Sequence, residues 1–167
     1  MKLNKRSLII ALTVVLMSLV LDQASKSWAL SNLGGACAKP GSCIDLIFGA
    51  KLHLVFNNGA AFSQGESLGR VFGIIAFIMT FVLLYLASQR SDKIFPLLYG
   101  LIAGGAIGNL WDRAFRAEDK GWLNGSVVDF IDLGWWPVFN LADAFIVIGA
   151  ICLLVFTQIK PDISKTI

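Results

Sequence analysis

Residues 94–114 read IFPLLYGLIAGGAIGNLWDRA, and this stretch decides the fold class. No charge interrupts it between Ile94 and Trp111. A helix of about 20 apolar residues spans about 30 Å of hydrocarbon. Gly100, Gly104 and Gly108 recur every fourth residue, with Gly105 beside them. Small residues at that spacing let two helix backbones approach closely in lipid. The stretch therefore predicts a transmembrane helix packed tightly on a neighbour.

Working outward, three further apolar stretches are long enough to cross a bilayer: 7–30, 68–88 and 139–159. The chain is 56% hydrophobic and only 15% charged, with a mean hydropathy of +0.73. A soluble domain of 167 residues needs more polar surface than this. The prediction is an all-α membrane protein with four transmembrane helices. With no internal repeat and no low-complexity segment, residues 1–167 are expected to form a single integral membrane domain.

Charge sets the orientation. Lys2, Lys5 and Arg6 precede the first span, Arg90 and Lys93 lie between the second and third, and Lys160 and Lys165 follow the fourth. Basic residues concentrated in short flanking segments mark the cytoplasmic side. Both termini are thus expected in the cytoplasm, and the two longer links outside it. The net charge of +3 reflects this topology and does not describe a nucleic-acid surface. The amino terminus has a basic start and an apolar run, like a cleavable signal peptide. Asp22 and Lys26 continue the same helical segment and three spans follow, so retention as an anchor is expected.

Both outer links contain strand-like runs. Ala50 to Phe56 (AKLHLVF) alternates in polarity, and Asn57, Asn58 and Gly59 follow as a turn signal. Residues 127–133 (VVDFIDL) form a second such run. A small extracytoplasmic β element on the membrane surface accounts for both. Trp122, Trp135 and Trp136 in the second link suit an interfacial belt. Cys37 and Cys43 lie in the first link, where an oxidising compartment permits a disulfide. Cys152 reads as a packing residue inside the fourth span. Leu33 to Cys37 only faintly resembles a lipidation box, since Gly34 stands where Leu is expected.

Ionisable groups inside spans are costly unless paired or facing water. Here Asp22, Lys26, Asn109, Asp112, Arg113, Asn140 and Asp143 gather near the outer ends of the spans. Asp22 and Lys26 are four apart on one helix face, which favours a self-contained structural ion pair. Asp112 and Arg113 are adjacent and point apart, so each needs another partner, a phosphate or carbonyl at headgroup level for Arg113. Asn140 is a good helix N-cap and Asp143 falls three residues on, close to a capping box. A structural role for Asp143 and solvated loop roles for Asp129 and Asp132 are the plain alternatives to catalysis.

Elimination narrows the chemistry. His53 is the sole histidine and has no triad-like surroundings. There is no HExxH, no phosphate-cradling loop and no cysteine cluster. Carboxylates remain as acid and base. Two held close share one proton, so one can activate a water while the other protonates a departing amine.

At these residues the chain resembles the lipoprotein signal peptidase (signal peptidase II) family, along nearly its whole length. The matching blocks are LDQASKSW (21–28), VFNNGAAFS (55–63), GGAIGNLWDR (104–113), GSVVDFIDL (125–133) and FNLADAF (139–145). The resemblance implies a bacterial inner-membrane aspartyl endopeptidase with its site near the outer leaflet. Its catalytic pair would be Asp129 and Asp143, selecting Asp129 over Asp132. It would remove the signal peptide of a prolipoprotein just before a cysteine that carries a diacylglyceryl group. Asn57, Gly59, Ala60, Asn109, Arg113 and Asn140 would bind substrate or support the dyad, and Asp22 with Lys26 would be a structural polar pair. The partners implied are prolipoprotein and membrane lipid, with no metal or organic cofactor implied, for a chain expected to act as a monomer. The helix-start position of Asp143 favours its ionised form, leaving Asp129 as the protonated partner. Two departures stand out in the outer link: 114–124 is longer than in many members, and the stretch from Asp129 to Asn140 is short.

Two other functions compete. A small transporter needs a polar path inward, yet Thr80 to Ala87 and Ile148 to Phe156 are nearly all apolar. A non-catalytic assembly factor held by glycine packing would keep its acids as helix caps, and would tolerate Asp129→Asn.

Overall fold

In the computed structural model, residues 3–34, 43–58, 69–116 and 122–159 are described. Among these residues, four long helices, α1 (Lys5–Asn32), α2 (Gly69–Ser88), α3 (Ile94–Phe115) and α4 (Leu141–Ile159), all meet the length and hydropathy required of membrane spans. Three short strands, β1 (Ile44–Asp45), β2 (Lys51–Asn57) and β3 (Val127–Asp132), form one antiparallel sheet in that order.

The helix ends follow local chemistry. α1 starts two residues earlier than the hydropathy run because Asn4 caps it, its side chain accepting from the Ser7 N–H at 3.2 Å. α4 starts at Leu141 because Asn140 serves as its cap and is not itself helical. Among the described elements, β1 and the 3-10 turn Ile47–Gly49 carry no sequence signal, β1 because two residues are too short to show alternation.

α3 is the central helix and packs on the other three. Along α1 the buried residues run Ser7, Ala11, Val15, Ser18, Asp22, Lys26, Ala29, a single stripe at intervals of three and four residues. The rest of that helix exposes Ile9, Leu12, Leu16 and Met17, the face that lipid covers. The glycines of α3 fit under the stripe. A Cβ on Gly104 would lie 2.6 Å from Ser18 Cβ, and one on Gly108 would lie 2.5 Å from Asp22 Oδ2. Contact this close needs hydrogen in place of a side chain.

The sheet covers the helix ends at which α1 and α3 finish and α2 and α4 begin. Ala29 and Leu33 of the α1 end pack with Leu54, Val128 and Phe130 into a small core beneath it. The pairing register sets Val55 opposite Asp129, with a shift between Leu52 and Val55 around His53. Beyond β3, Asp132 Oδ1 accepts the Gly134 N–H at 2.7 Å, and Gly134 takes φ +80°. This tight turn returns the chain so that Phe139 pairs with Ile131. The strand carrying Asp129 and the helix carrying Asp143 are thereby joined by one short reversal. Cys152 is a free, half-buried thiol. Cys43 takes part in a disulfide, and Cys37, Gly59 and Ala60 lie outside the described residues.

Candidate active site

Asp129 is the third residue of β3 and is 2% exposed. Alternation of the strand turns it toward the helices. Asp132 lies three residues on, on the opposite face, where His53 Nε2 meets its carboxylate at 3.1 Å. Two amides grip Asp129. Asn57 Nδ2, from the end of β2, donates to Oδ2 at 3.0 Å, and Asn140 Nδ2 donates to Oδ1 at 2.7 Å.

Asp143 is held differently. Asn140 and Asp143 form a reciprocal capping box: Asp143 N–H donates to Asn140 Oδ1 at 3.0 Å, and Asn140 N–H donates to Asp143 Oδ2 at 3.2 Å. Asn109 Nδ2, from α3, donates to Asp143 Oδ1 at 2.7 Å. Asn140 also donates to Asn109 Oδ1 at 3.1 Å, so these two amides link both carboxylates.

The acids differ in environment. Asp143 sits in the first turn of α4, at the positive end of the helix dipole. Burial pushes the Asp129 carboxyl up to about 7, and the nearby Asp143 charge adds to the rise. The Asn57 and Asn140 amides and the Lys26 charge oppose it. Asp132, by contrast, is held below the usual carboxylate range by the Gly134 N–H and by His53.

A second tier of charge lies behind the pair. Lys26 is fully buried and meets Asp22 at 2.8 Å, Asp112 at 2.9 Å and Asn109 Oδ1 at 3.1 Å. The Asp22–Lys26 pair expected from spacing does form, but it is not self-contained. Asp22 Oδ1 accepts the Ala142 N–H at 3.0 Å, tying α1 to the start of α4. Asp112 takes Lys26, Arg116 Nε at 2.9 Å and the Val128 N–H at 3.2 Å. Gln23 lies among them, its amide nitrogen 3.1 Å from Asp22 Oδ2 and 3.3 Å from Asp112 Oδ1. Sequence reasoning missed Gln23, Arg116 and the hub role of Asp112. The one available signal was the four-residue spacing from Asp112 to Arg116.

Arg113 is buried, faces Asp129, Asp112 and Asp143, and reaches a carbonyl, Gly125 O, at 3.5 Å. It also lines a groove of about 420 Å³ with Asn57 and Asn109, walled by Ile75, Met79 and Ile146. A second groove of about 450 Å³, walled by Trp135, Trp136, Phe139 and Val147, includes Asp143 in its lining. Asp143 thus lines one apolar groove, while the amides that donate to Asp129 and Asp143, Asn57 and Asn109, line the other. A third groove, between Ile74, Phe77, Trp111 and Phe115, has no ionisable lining residue among the described residues.

Comparison with known proteins places these features in context. The sequence profile of a peptidase family described as signal peptidase (SPase) II matches residues 14–159. A lipoprotein signal peptidase of Rhodococcus jostii (strain RHA1) is 40% identical over 147 residues, covering 86% of this chain and 71% of its own length. One from Syntrophomonas wolfei subsp. wolfei is 42% identical over 143 residues, covering 84% and 87%. A solved bacterial membrane enzyme superposes with a TM-score of 0.70 at 27% identity, covering 91% of this chain and 92% of its own.

Proposed function

The chain belongs to the signal peptidase II family, and from that premise we propose that it is an aspartic endopeptidase. It removes the signal peptide of a prolipoprotein, cutting just before a cysteine that carries a diacylglyceryl group. The observation that carries this function is the pair Asp129 and Asp143, linked through Asn109 and Asn140, with Asp143 lining one apolar groove and the supporting amides Asn57 and Asn109 lining another.

Charge balance supports a single shared proton. Three buried or part-buried cations, Lys26, Arg113 and Arg116, face four carboxylates, Asp22, Asp112, Asp129 and Asp143. The cluster is neutral when one carboxylate is protonated. Asp129 is the member whose titration lies near 7, and Asp143 holds the helix N-terminus. Asp129 therefore keeps the proton and Asp143 acts as the base.

The chemistry follows. Asp143 removes a proton from a water, whose oxygen attacks the scissile carbonyl carbon. Asp129 gives its proton to the carbonyl oxygen, producing a neutral geminal diol. As the diol collapses, its hydroxyl proton returns to Asp129 and Asp143 protonates the departing amide nitrogen. The C–N bond breaks and the pair is restored. Arg113 and the substrate-facing amides orient the peptide, and the two grooves seat the apolar signal segment and the acyl chains. Gly59 and Ala60 enter on the family resemblance alone.

Basic flanks put both termini in the cytoplasm, which sets the sheet and the carboxylate pair at the outer leaflet of the inner membrane. The test is a cleavage assay on one precursor in two forms, with and without the diacylglyceryl group. Mass spectrometry should find a cut immediately before the modified cysteine and none in the unmodified form. Equal cleavage of both forms would contradict the substrate assignment.

A further inference from the structure

We infer that the buried Lys26–Asp112 ion pair is a positioning device with one arm on each aspartate: through Asn109 it sets which end of an amide faces Asp143, and through the Val128 N–H it holds β3, with Asp129, against α3. The inference rests on the catalytic pair proposed above.

An ammonium carries three protons and accepts nothing. The Lys26 ammonium has three oxygen partners, Asp22 Oδ2, Asp112 Oδ2 and Asn109 Oδ1, and is fully buried. The Asn109 atom facing it must therefore be the oxygen. That oxygen also accepts from Asn140 Nδ2, which leaves the Asn109 NH₂ to face Asp143 at 2.7 Å. Rotating the amide by half a turn would set NH₂ against an ammonium and a carbonyl against a carboxylate. Lys26 thus fixes the polarity of the donor to Asp143 without touching Asp143.

The other arm is backbone. Asp112 Oδ2 accepts from Val128, one peptide before Asp129, and Oδ1 is anchored by Arg116. Buried ion pairs are weak sources of stability, because desolvation offsets their attraction. This one contacts the supports of both acids, and that arrangement is what positioning requires. The charged groups facing Asp129 are Asp143, Lys26 and Arg113. Those facing Lys26 are Asp22 from its own helix, Asp112 from α3 and Asp129 from β3.

The experiment compares full-length wild type, Lys26→Gln, Asp112→Asn and Asp129→Asn in detergent, each checked by circular dichroism. It reads kcat and KM on the lipid-modified precursor. It also reads the ¹³C carboxyl titration of Asp129, identified by its absence in Asp129→Asn. Folded Lys26→Gln should lose about 10²-fold in kcat, the scale of a small misplacement near reacting groups, with KM little changed. Its Asp129 titration should move upward, because a facing cation has gone. Wild-type kcat and titration in that variant would overturn the inference, and so would a raised KM at unchanged kcat. If Lys26→Gln does not fold, Asp112→Asn takes its place: a fall in kcat at constant KM supports positioning, and unchanged kcat overturns it. If wild type itself fails to cleave, the peptidase assignment falls, and the titration alone decides whether Lys26 acts on Asp129.

Discussion

Asn140 holds Asp129 with one end of its side chain and caps the helix of Asp143 with the other: its Nδ2 lies 2.7 Å from Asp129 Oδ1, and its Oδ1 accepts the Asp143 N–H at 3.0 Å. One residue thereby sets the geometry between the two acids. Asn140→Ala removes the cap, worth about 1 kcal/mol, which corresponds to a melting temperature lower by about 2–4 °C. Turnover should fall by about 10²-fold or more, since a donor to the reacting carboxyl is lost. Asn140→Asp is the sharper variant. It keeps the cap but buries a third carboxylate against Asp129, so it should melt below wild type at neutral pH, recover as pH falls, and show little activity. Thermal melts in detergent and cleavage rates on the same preparations check both.

The raised Asp129 titration predicts an alkaline limb in activity. Turnover should decline as pH rises through about 7, where the pair loses its remaining proton. Stability should follow the same sign. The folded-state value lies above the ordinary one, so the contribution of the proton is fully present below about 4 and is lost as pH climbs through about 7. Asp129→Asn cannot titrate. Its stability relative to wild type should grow across that window and then level off. Chemical denaturation at a series of pH values checks the trend, and a pH-independent difference would contradict it.

The Asn57 amide donates to Asp129 Oδ2 and favours the ionised carboxylate. Asn57→Ala should therefore shift the alkaline limb to higher pH while lowering the maximal rate. A pH–rate profile under saturating substrate reads the shift. A limb that stays put or moves toward acid would show that the Asn57 donor does not govern the titration.

Close helix packing predicts the cost of side chains on α3. Gly104→Val inserts bulk where Ser18 Cβ already lies within 2.6 Å of a Cβ position, and should destabilise by about 1–3 kcal/mol or more. Gly108→Ala meets Asp22 Oδ2 itself, so it should also loosen the Ala142 contact that starts α4. Activity in Gly108→Ala should fall further than stability alone explains. Melting temperatures and specific activities of the two variants, side by side, separate the effects.

The spans were legible because a bilayer demands about 20 apolar residues, a signal that survives any detail of packing. β2 was legible from polarity alternation and β3 as a strand-like run rich in Val, Phe and Ile, and both lie within a residue of the expected bounds. The Asn140–Asp143 cap was legible because both partners sit in one local pattern. What the residues alone left open was the choice between Asp129 and Asp132. Strand parity separates them, one turned inward and one toward His53, but parity helps only once the buried face is known. The Lys26–Asp112 contact was out of reach, because it joins α1 to α3 through a crossing that only the packed helices define. For the same reason the Asp22–Lys26 pair read as isolated, although it is part of a larger network.

The central claim is that Asp129 and Asp143 share the catalytic work, and single-turnover cleavage of the diacylglyceryl-modified precursor tests it most directly. Asp129→Asn and Asp143→Asn would run beside wild type, with folding verified for each. Loss of nearly all turnover in both folded variants is the result predicted. Substantial cleavage by either variant would contradict the account and return that carboxylate to a role as helix cap or sheet contact.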